Sequence, residues 1–297
     1  MNEELGMKSE ELKKSRIMNV FHDFSELVMF KHSIFSLPFI FIAMLVTAHG
    51  WFGWKLLFLG TLAAVSARNF AMGVNRYLDK DIDILNPRTK GRPSVDGRVS
   101  NGEMIGFIIV NALIFIAIAY FINPLALQLS IPILFILGAY SFFKRFSELA
   151  HLILGVSLGL APIAGVVAVS GEITLWSIYL ALGVMFWVAG FDLIYSLQDM
   201  DFDKQNDLHS IPSKFGINKT MWISRAFHIL AILFWILFVW RAGLGLWAQI
   251  AVLFSAIMLT YEHHLVNKNL TNIDKAFFTV NGYLGFMFIF FIIIEVF

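Results

Sequence analysis

Two sets of acidic residues could do chemistry in this chain. Asn75, Asp79 and Asp83 step by four residues, and Asp192, Tyr195, Asp199 and Asp203, at offsets of three, seven and eleven, form one continuous helical stripe. In a helix each Asp-x-x-x-Asp pair places two carboxylates on one face, about 5–6 Å apart at Cβ. Like charges this close repel, and a cation between them relieves the repulsion. Mg²⁺ favours oxygen ligands and commonly takes one or two carboxylates together with substrate phosphates. Asp79, Asp83, Asp199 and Asp203 supply carboxylates, and Asn75 adds a neutral oxygen. Two such sets facing one another could hold Mg²⁺ and, through it, a diphosphate. Acids in a solvated loop that merely flank a helix are the plainer alternative, and matched clusters at two span ends weigh against it.

Both sets sit where long apolar stretches end. The chain is 58% hydrophobic and only 14% charged, against about 25% charged in soluble domains. A membrane span needs about 20 mostly apolar residues. Nine candidates qualify: 30–49, 55–75, 104–122, 125–143, 150–170, 174–196, 220–240, 244–262 and 275–296. The links 76–103 and 197–219 are the long ones, and they carry the acidic residues. The mixed, charged segment 1–25 lacks the apolar core of a signal peptide and reads as an interfacial amphipathic piece, with Val20, Phe21, Phe24 and Leu27 along one side. Of the 22 Lys and Arg residues, 18 fall on the side of the N-terminus and the two acidic links. The positive-inside rule places that side in the cytoplasm and the C-terminus outside. The net charge of +1 argues against nucleic acid as a partner, and the absence of cysteine excludes thiolate chemistry.

Charged residues inside spans are expensive and need partners. Asp192 lies about 10 Å deeper than Asp199 at 1.5 Å per residue. Arg68 lies seven residues before Asn75, on the same helical face. The two could form a structural ion pair joining spans two and six, or both could line a reaction cavity. Arg88, Lys90 and Arg92 follow the first acidic set, and Lys214 follows the second. Arginine grips phosphate bidentately and lysine acts as a point charge, so the cluster suits a diphosphate leaving group. The positive-inside rule alone also demands cations here. His32, His49, His151, His209, His228, His263 and His264 show no metal-ligand spacing supported by a second cluster. A cation-coupled secondary transporter is the rival class. It would place acids near mid-membrane, whereas most acids here lie at span ends.

These residues resemble the motifs of the UbiA superfamily of intramembrane aromatic prenyltransferases. The family's first motif runs Asn-Asp-x-x-Asp-x-x-x-Asp. Asn75, Asp79 and Asp83 match it, and Arg76 stands where many members have Asp. Its second motif, Asp-x-x-Tyr-x-x-x-Asp-x-x-x-Asp, matches in full at Asp192, Tyr195, Asp199 and Asp203. Arg92, Pro93 and Gly97 resemble a following Arg-Pro-Leu-x-x-Gly stretch, with Ser94 in place of Leu. The stretches 31–38, 196–199 and 209–216 look most like the branch acting on 4-hydroxybenzoate, which includes relatives that prenylate 1,4-dihydroxy-6-naphthoate for menaquinone.

The resemblance spans essentially the whole chain. It implies an all-α integral membrane fold of about nine helices around a central cavity, forming one domain over 1–297 with two cytoplasmic motif loops. The bacterial inner membrane is the expected location. The implied reaction moves a polyprenyl group from a polyprenyl diphosphate to a small aromatic acid, with Mg²⁺ as cofactor. Asn75, Asp79, Asp83, Asp199 and Asp203 would hold the metal, and Arg88, Lys90, Arg92 and Lys214 the diphosphate. Arg68 or Lys31 would bind the acceptor carboxylate. Asp192, Tyr195 and Arg68 would line the catalytic centre, Asp192 holding or deprotonating an acceptor hydroxyl. The lipid bilayer is the remaining partner, and no protein partner is inferable.

Overall fold

The structure, a computed structural model, describes residues 22–28, 37–143 and 145–297. Lys31, Lys144 and most of the segment 1–25 lie outside the described residues. Among the described residues there is no strand, and nine helices are twelve residues or longer. They are α1 (Leu37–Ala48), α2 (Trp54–Leu78), α3 (Asn101–Ile122), α4 (Pro124–Phe143), α5 (Ala150–Ser170), α6 (Leu175–Ser196), α7 (Ile211–Arg241), α8 (Leu246–Lys268) and α9 (Asn281–Val296). By length and composition, seven stretches can cross a membrane, one each in the regions of α2 to α7 and α9. The other two are the shorter α1 and α8, whose C-terminal end carries Glu262, His263, His264 and Lys268.

Sequence signals set the ends of these helices. Ser100 and Glu103 form a reciprocal capping box that opens α3, and Thr174 caps α6 through the Ser177 amide. Gly171, at φ 72°, closes α5 in the left-handed region. Helix α7 begins at Ile211, earlier than the span 220–240 read from hydropathy, because Ser210 caps it and Pro212 sits in its first turn. It is broken at Gly216 (φ 74°, ψ 175°), where the polar turn meets the apolar helix. The π-turn Ala276–Val280 leads into α9.

Packing differs between the two ends of the chain. Helices α6 to α9, with α1, close around Trp187, Trp235, Phe39 and Phe288, all fully buried. In lipid the hydrophobic effect does not drive helices together, so close packing and interhelical hydrogen bonds must. Both are present: Trp187 Nε1 donates to Asn281 Oδ1 at 2.8 Å, and Asn281 Nδ2 donates to Glu262 Oε1 at 2.7 Å. Helices α1 to α5 instead surround an apolar cavity of about 180 Å³, with Gly60, Ala63, Ala64, Ala67 and Ala71 of α2 on its wall. Large aromatic residues such as Phe135 and Trp240 point outward, about three-quarters exposed, as a lipid-facing surface requires.

Candidate active site

The first acidic set is built at the end of α2. The helix stops at Asp79 (φ −87°, ψ 0°) and resumes as a short helix, Lys80–Leu85. The Asp79 amide still bonds to Asn75 O at 2.9 Å and the Asp83 amide to Asp79 O at 2.8 Å, so the i, i+4 register survives the break. Asp79 and Asp83 are both buried. Asn75 Nδ2 donates to Asp79 Oδ2 at 2.7 Å, and Arg92 Nη1 donates to Asp83 Oδ2 at 2.6 Å.

The second set departs from its expected form. It is not one continuous helical stripe. Helix α6 ends at Ser196, a 3₁₀ turn covers Leu197–Asp199, and a short helix runs over Met200–Gln205. The tighter turn lets Asp199 stand at the head of the next helix. Tyr195 packs against Phe277, with the rings tilted and their centroids 4.2 Å apart.

The first loop reaches across to the second set. Asn86 Nδ2 donates to Asp199 Oδ1 at 3.2 Å, Arg88 Nε donates to the same oxygen at 3.0 Å, and Arg88 Nη2 forms an ion pair with Asp199 Oδ2. Arg88 Nη1 also donates to the Tyr195 hydroxyl at 3.2 Å. Burial works against the Arg88 charge, but the bonds to Asp199 win and hold its guanidinium above the ordinary value. Lys90 is exposed on the same loop. Lys214 sits at the rim, where its Nζ donates to Glu148 Oε1 at 2.6 Å and holds that carboxyl down to about 2.

A cavity of about 180 Å³ with polar side chains on its wall opens beside the second set. Asn75, Asp192, Asp199 and Asp203 line it together with Tyr140, His151 and His209. Tyr140 and Leu154 also line the apolar cavity, and so join the two. Arg68 is on the apolar side. The possible Arg68–Asp192 pair is exchanged for another: Asp192 Oδ2 bonds to His151 Nδ1 at 2.7 Å. Helix packing explains the exchange, because α5 lies against α6 and delivers His151 to Asp192.

The donor set fits a hard divalent cation. It consists of carboxylate oxygens and one amide, with no sulfur. Among the described residues the four motif carboxylates form no cage, since the ligand atoms of no three of them lie within 4.8 Å of one another. Arg92 and Arg88 hold Asp83 and Asp199 instead. This suits Mg²⁺, which is rarely caged by protein alone and completes its shell with phosphate and water. Arg76, at the family's missing Asp, donates from Nε to Leu27 O at 3.2 Å and ties the segment 22–28 to α2. From sequence, His151, Tyr140 and Asn86 had no role in the site. A histidine and a tyrosine close to span ends were the only signals available.

Among the described residues, a bundle without strands carries two aspartate sets bridged by one loop and an apolar cavity adjoining them, the layout of a membrane enzyme. The chain belongs to the UbiA prenyltransferase family, whose pattern matches residues 36–292. It is a prenyltransferase and an integral, multi-pass membrane protein. It is 30% identical to a 4-hydroxybenzoate octaprenyltransferase from Paracidovorax citrulli, over 82% of each chain. A relative of the same description from Herminiimonas arsenicoxydans is 26% identical over 78% of this chain and 81% of its own. A UbiA homologue from Aeropyrum pernix superposes with a TM-score of 0.81 at 33% identity, covering 90% of this chain and 98% of that one. A UbiA homologue from Archaeoglobus fulgidus bound to DMAPP and Mg²⁺ shares the fold, with a TM-score of 0.76, 18% identity and coverage of 92% and 99%.

Proposed function

We propose that this chain transfers a polyprenyl group from a polyprenyl diphosphate to a hydroxylated aromatic acid of quinone biosynthesis, 4-hydroxybenzoate or 1,4-dihydroxy-6-naphthoate. One observation carries the reading: the polar cavity, lined by Asn75 of the first set and Asp192, Asp199 and Asp203 of the second, meets the apolar cavity at Tyr140 and Leu154. A diphosphate in the first would leave its hydrocarbon tail in the second. The relatives described as 4-hydroxybenzoate octaprenyltransferases support the acceptor class.

Asn75, Asp79, Asp83, Asp199 and Asp203 would hold Mg²⁺, supported by their hard oxygen donors and by the Mg²⁺ and DMAPP bound to the Archaeoglobus fulgidus homologue. Bound there, Mg²⁺ supplies charge neutralisation to a departing diphosphate. Arg88, Lys90 and Arg92 bind the diphosphate oxygens, with Lys214 at the rim. Their positive charge favours the leaving group most when the C–O bond is broken, which is the condition for catalysis. The cavity walls keep bulk water from the allylic cation. Arg68, on the wall of the apolar cavity, binds the acceptor carboxylate. Lys31 keeps the same role as a proposal. Asp192 holds the acceptor hydroxyl, and Tyr195 fixes Arg88.

The chain is one polytopic domain with its N-terminus and motif loops in the cytoplasm. The test is to incubate membranes containing the protein with Mg²⁺, a polyprenyl diphosphate and each aromatic acid in turn, and to read product mass. One of the two acids gains the mass of the prenyl group. Membranes that prenylate neither, while the diphosphate still binds, overturn the acceptor class.

A further inference from the structure

Resting on the prenyl-transfer reading above, we propose that His151 is the positioning residue that makes Asp192 the proton acceptor for the aromatic hydroxyl. Four observations carry it. His151 Nδ1 and Asp192 Oδ2 lie 2.7 Å apart, joining α5 to α6. Among the described residues, His151 is the one hydrogen-bond partner that Asp192 has. The Asp192 side chain is 21% exposed and lines the polar cavity together with Asn75, Asp199 and Asp203. His151 itself is 6% exposed, and its Nε2 is buried with no partner.

The tautomer follows from these contacts. A proton on Nε2 would be a buried, unmet donor, and such a donor is costly. The ring proton therefore sits on Nδ1, where it is donated to the carboxylate. A pair built only for stability would use both carboxylate oxygens and be sealed from the cavity. Here one oxygen is fixed from behind by the imidazole and the other is left for a ligand. A carboxylate held in this way presents one lone pair in a set direction, the arrangement a general base needs.

The step balances as follows. The bond formed joins C1 of the prenyl group to the ring carbon beside the hydroxyl. The bond broken is C1–O, and the diphosphate leaves with the electron pair. As the ring attacks, the hydroxyl proton passes to Asp192 and a neutral dienone results. The ring carbon then gives its proton to the diphosphate, and Asp192 returns its proton to the oxygen.

The experiment uses full-length protein in detergent with Mg²⁺, a polyprenyl diphosphate and a series of ring-fluorinated 4-hydroxybenzoates of increasing hydroxyl acidity. Wild type should respond weakly to acidity. His151→Leu should lose about 10²-fold in kcat with the weakest acid, keep its KM for the diphosphate, and recover steadily as the hydroxyl becomes more acidic. His151→Asn places an amide donor near the former Nδ1 and should restore most of kcat. A His151→Leu variant slowed equally for every acceptor, or an Asn variant no better than Leu while the diphosphate KM is retained, overturns the role of His151 and leaves prenyl transfer standing. Wild type that prenylates no member of the series overturns both readings.

Discussion

Two motif carboxylates are paired with arginines from the first loop. Asp199 is held by Arg88 and Asp83 by Arg92. Breaking one member of such a pair leaves the other charge poorly compensated. The same pairs suit a substrate whose negative oxygens can take over the guanidinium groups while the acids turn to a cation. Replacing Asp79 or Asp199 with Asn keeps size and removes charge. We expect turnover to fall about 10²–10³-fold, roughly 3–4 kcal/mol of lost transition-state stabilisation. The Mg²⁺ dependence should shift to higher concentration, and Mg²⁺ binding followed by calorimetry should weaken in parallel. Turnover and Mg²⁺ dependence that match wild type in folded protein would return these acids to the role of loop residues.

Arg68 tests the acceptor end of the site. It lies on the apolar side of Tyr140, away from the loop arginines. We expect Arg68→Leu to raise the KM for the aromatic acid at least tenfold while the diphosphate KM stays within twofold, because one buried charge-assisted hydrogen bond is worth about 1.5–3 kcal/mol. An unchanged acceptor KM and rate would remove Arg68 from carboxylate binding.

Elements deliver these residues to one another through small side chains. A Cβ on Gly155 would lie 2.3 Å from Met185 O, and one on Gly159 would lie 2.8 Å from Ala181 O. Helices α5 and α6 thus approach backbone to backbone, one turn from His151. Gly155→Ala should destabilise the bundle by about 1–3 kcal/mol and lower kcat by misplacing His151 against Asp192. Gly102→Ala, at an α3 position with nothing within 4 Å, should leave both unchanged or slightly raise stability. Thermal inactivation of the two variants in detergent makes the comparison, and equal midpoints would refute the close-approach account.

The same packing shows what was legible in the sequence. Asp79, Asp83, Asp199 and Asp203 stood out because a carboxylate at a span end is costly, and the cost leaves a mark in composition. His151 did not stand out, since its meaning depends on which helix α5 packs against. The alanines and glycine of α2 were equally silent: Gly60, Ala63, Ala67 and Ala71 read alike whether they pack a neighbour or wall a cavity. The break at Asp199 was hidden because a 3₁₀ turn keeps nearly the same offsets as an α-helix. Arg76 was read as a missing ligand, and only the fold shows it clamping Leu27.

At the scale of the whole molecule, charge and packing divide differently. The packed core lies among α6 to α9 and α1, and the apolar cavity among α1 to α5, while the nine-span reading of the sequence puts most basic residues on the side of both motif loops. That asymmetry sets a topology test. If α1 and α8 both cross with the seven stretches already long enough, the ends lie on opposite faces. If one of them lies flat at the interface, the ends share a face. Eighteen of the 22 Lys and Arg residues on the motif side favour crossing by both. A periplasm-active reporter such as alkaline phosphatase should be active at the C-terminus and silent when inserted within 84–98, and a cytoplasm-active reporter should show the reverse. Both positions reporting the same face would leave an even number of spans after the first motif loop, and α8, with Glu262, His263 and Lys268 near its end, would be the first helix to move out of the membrane.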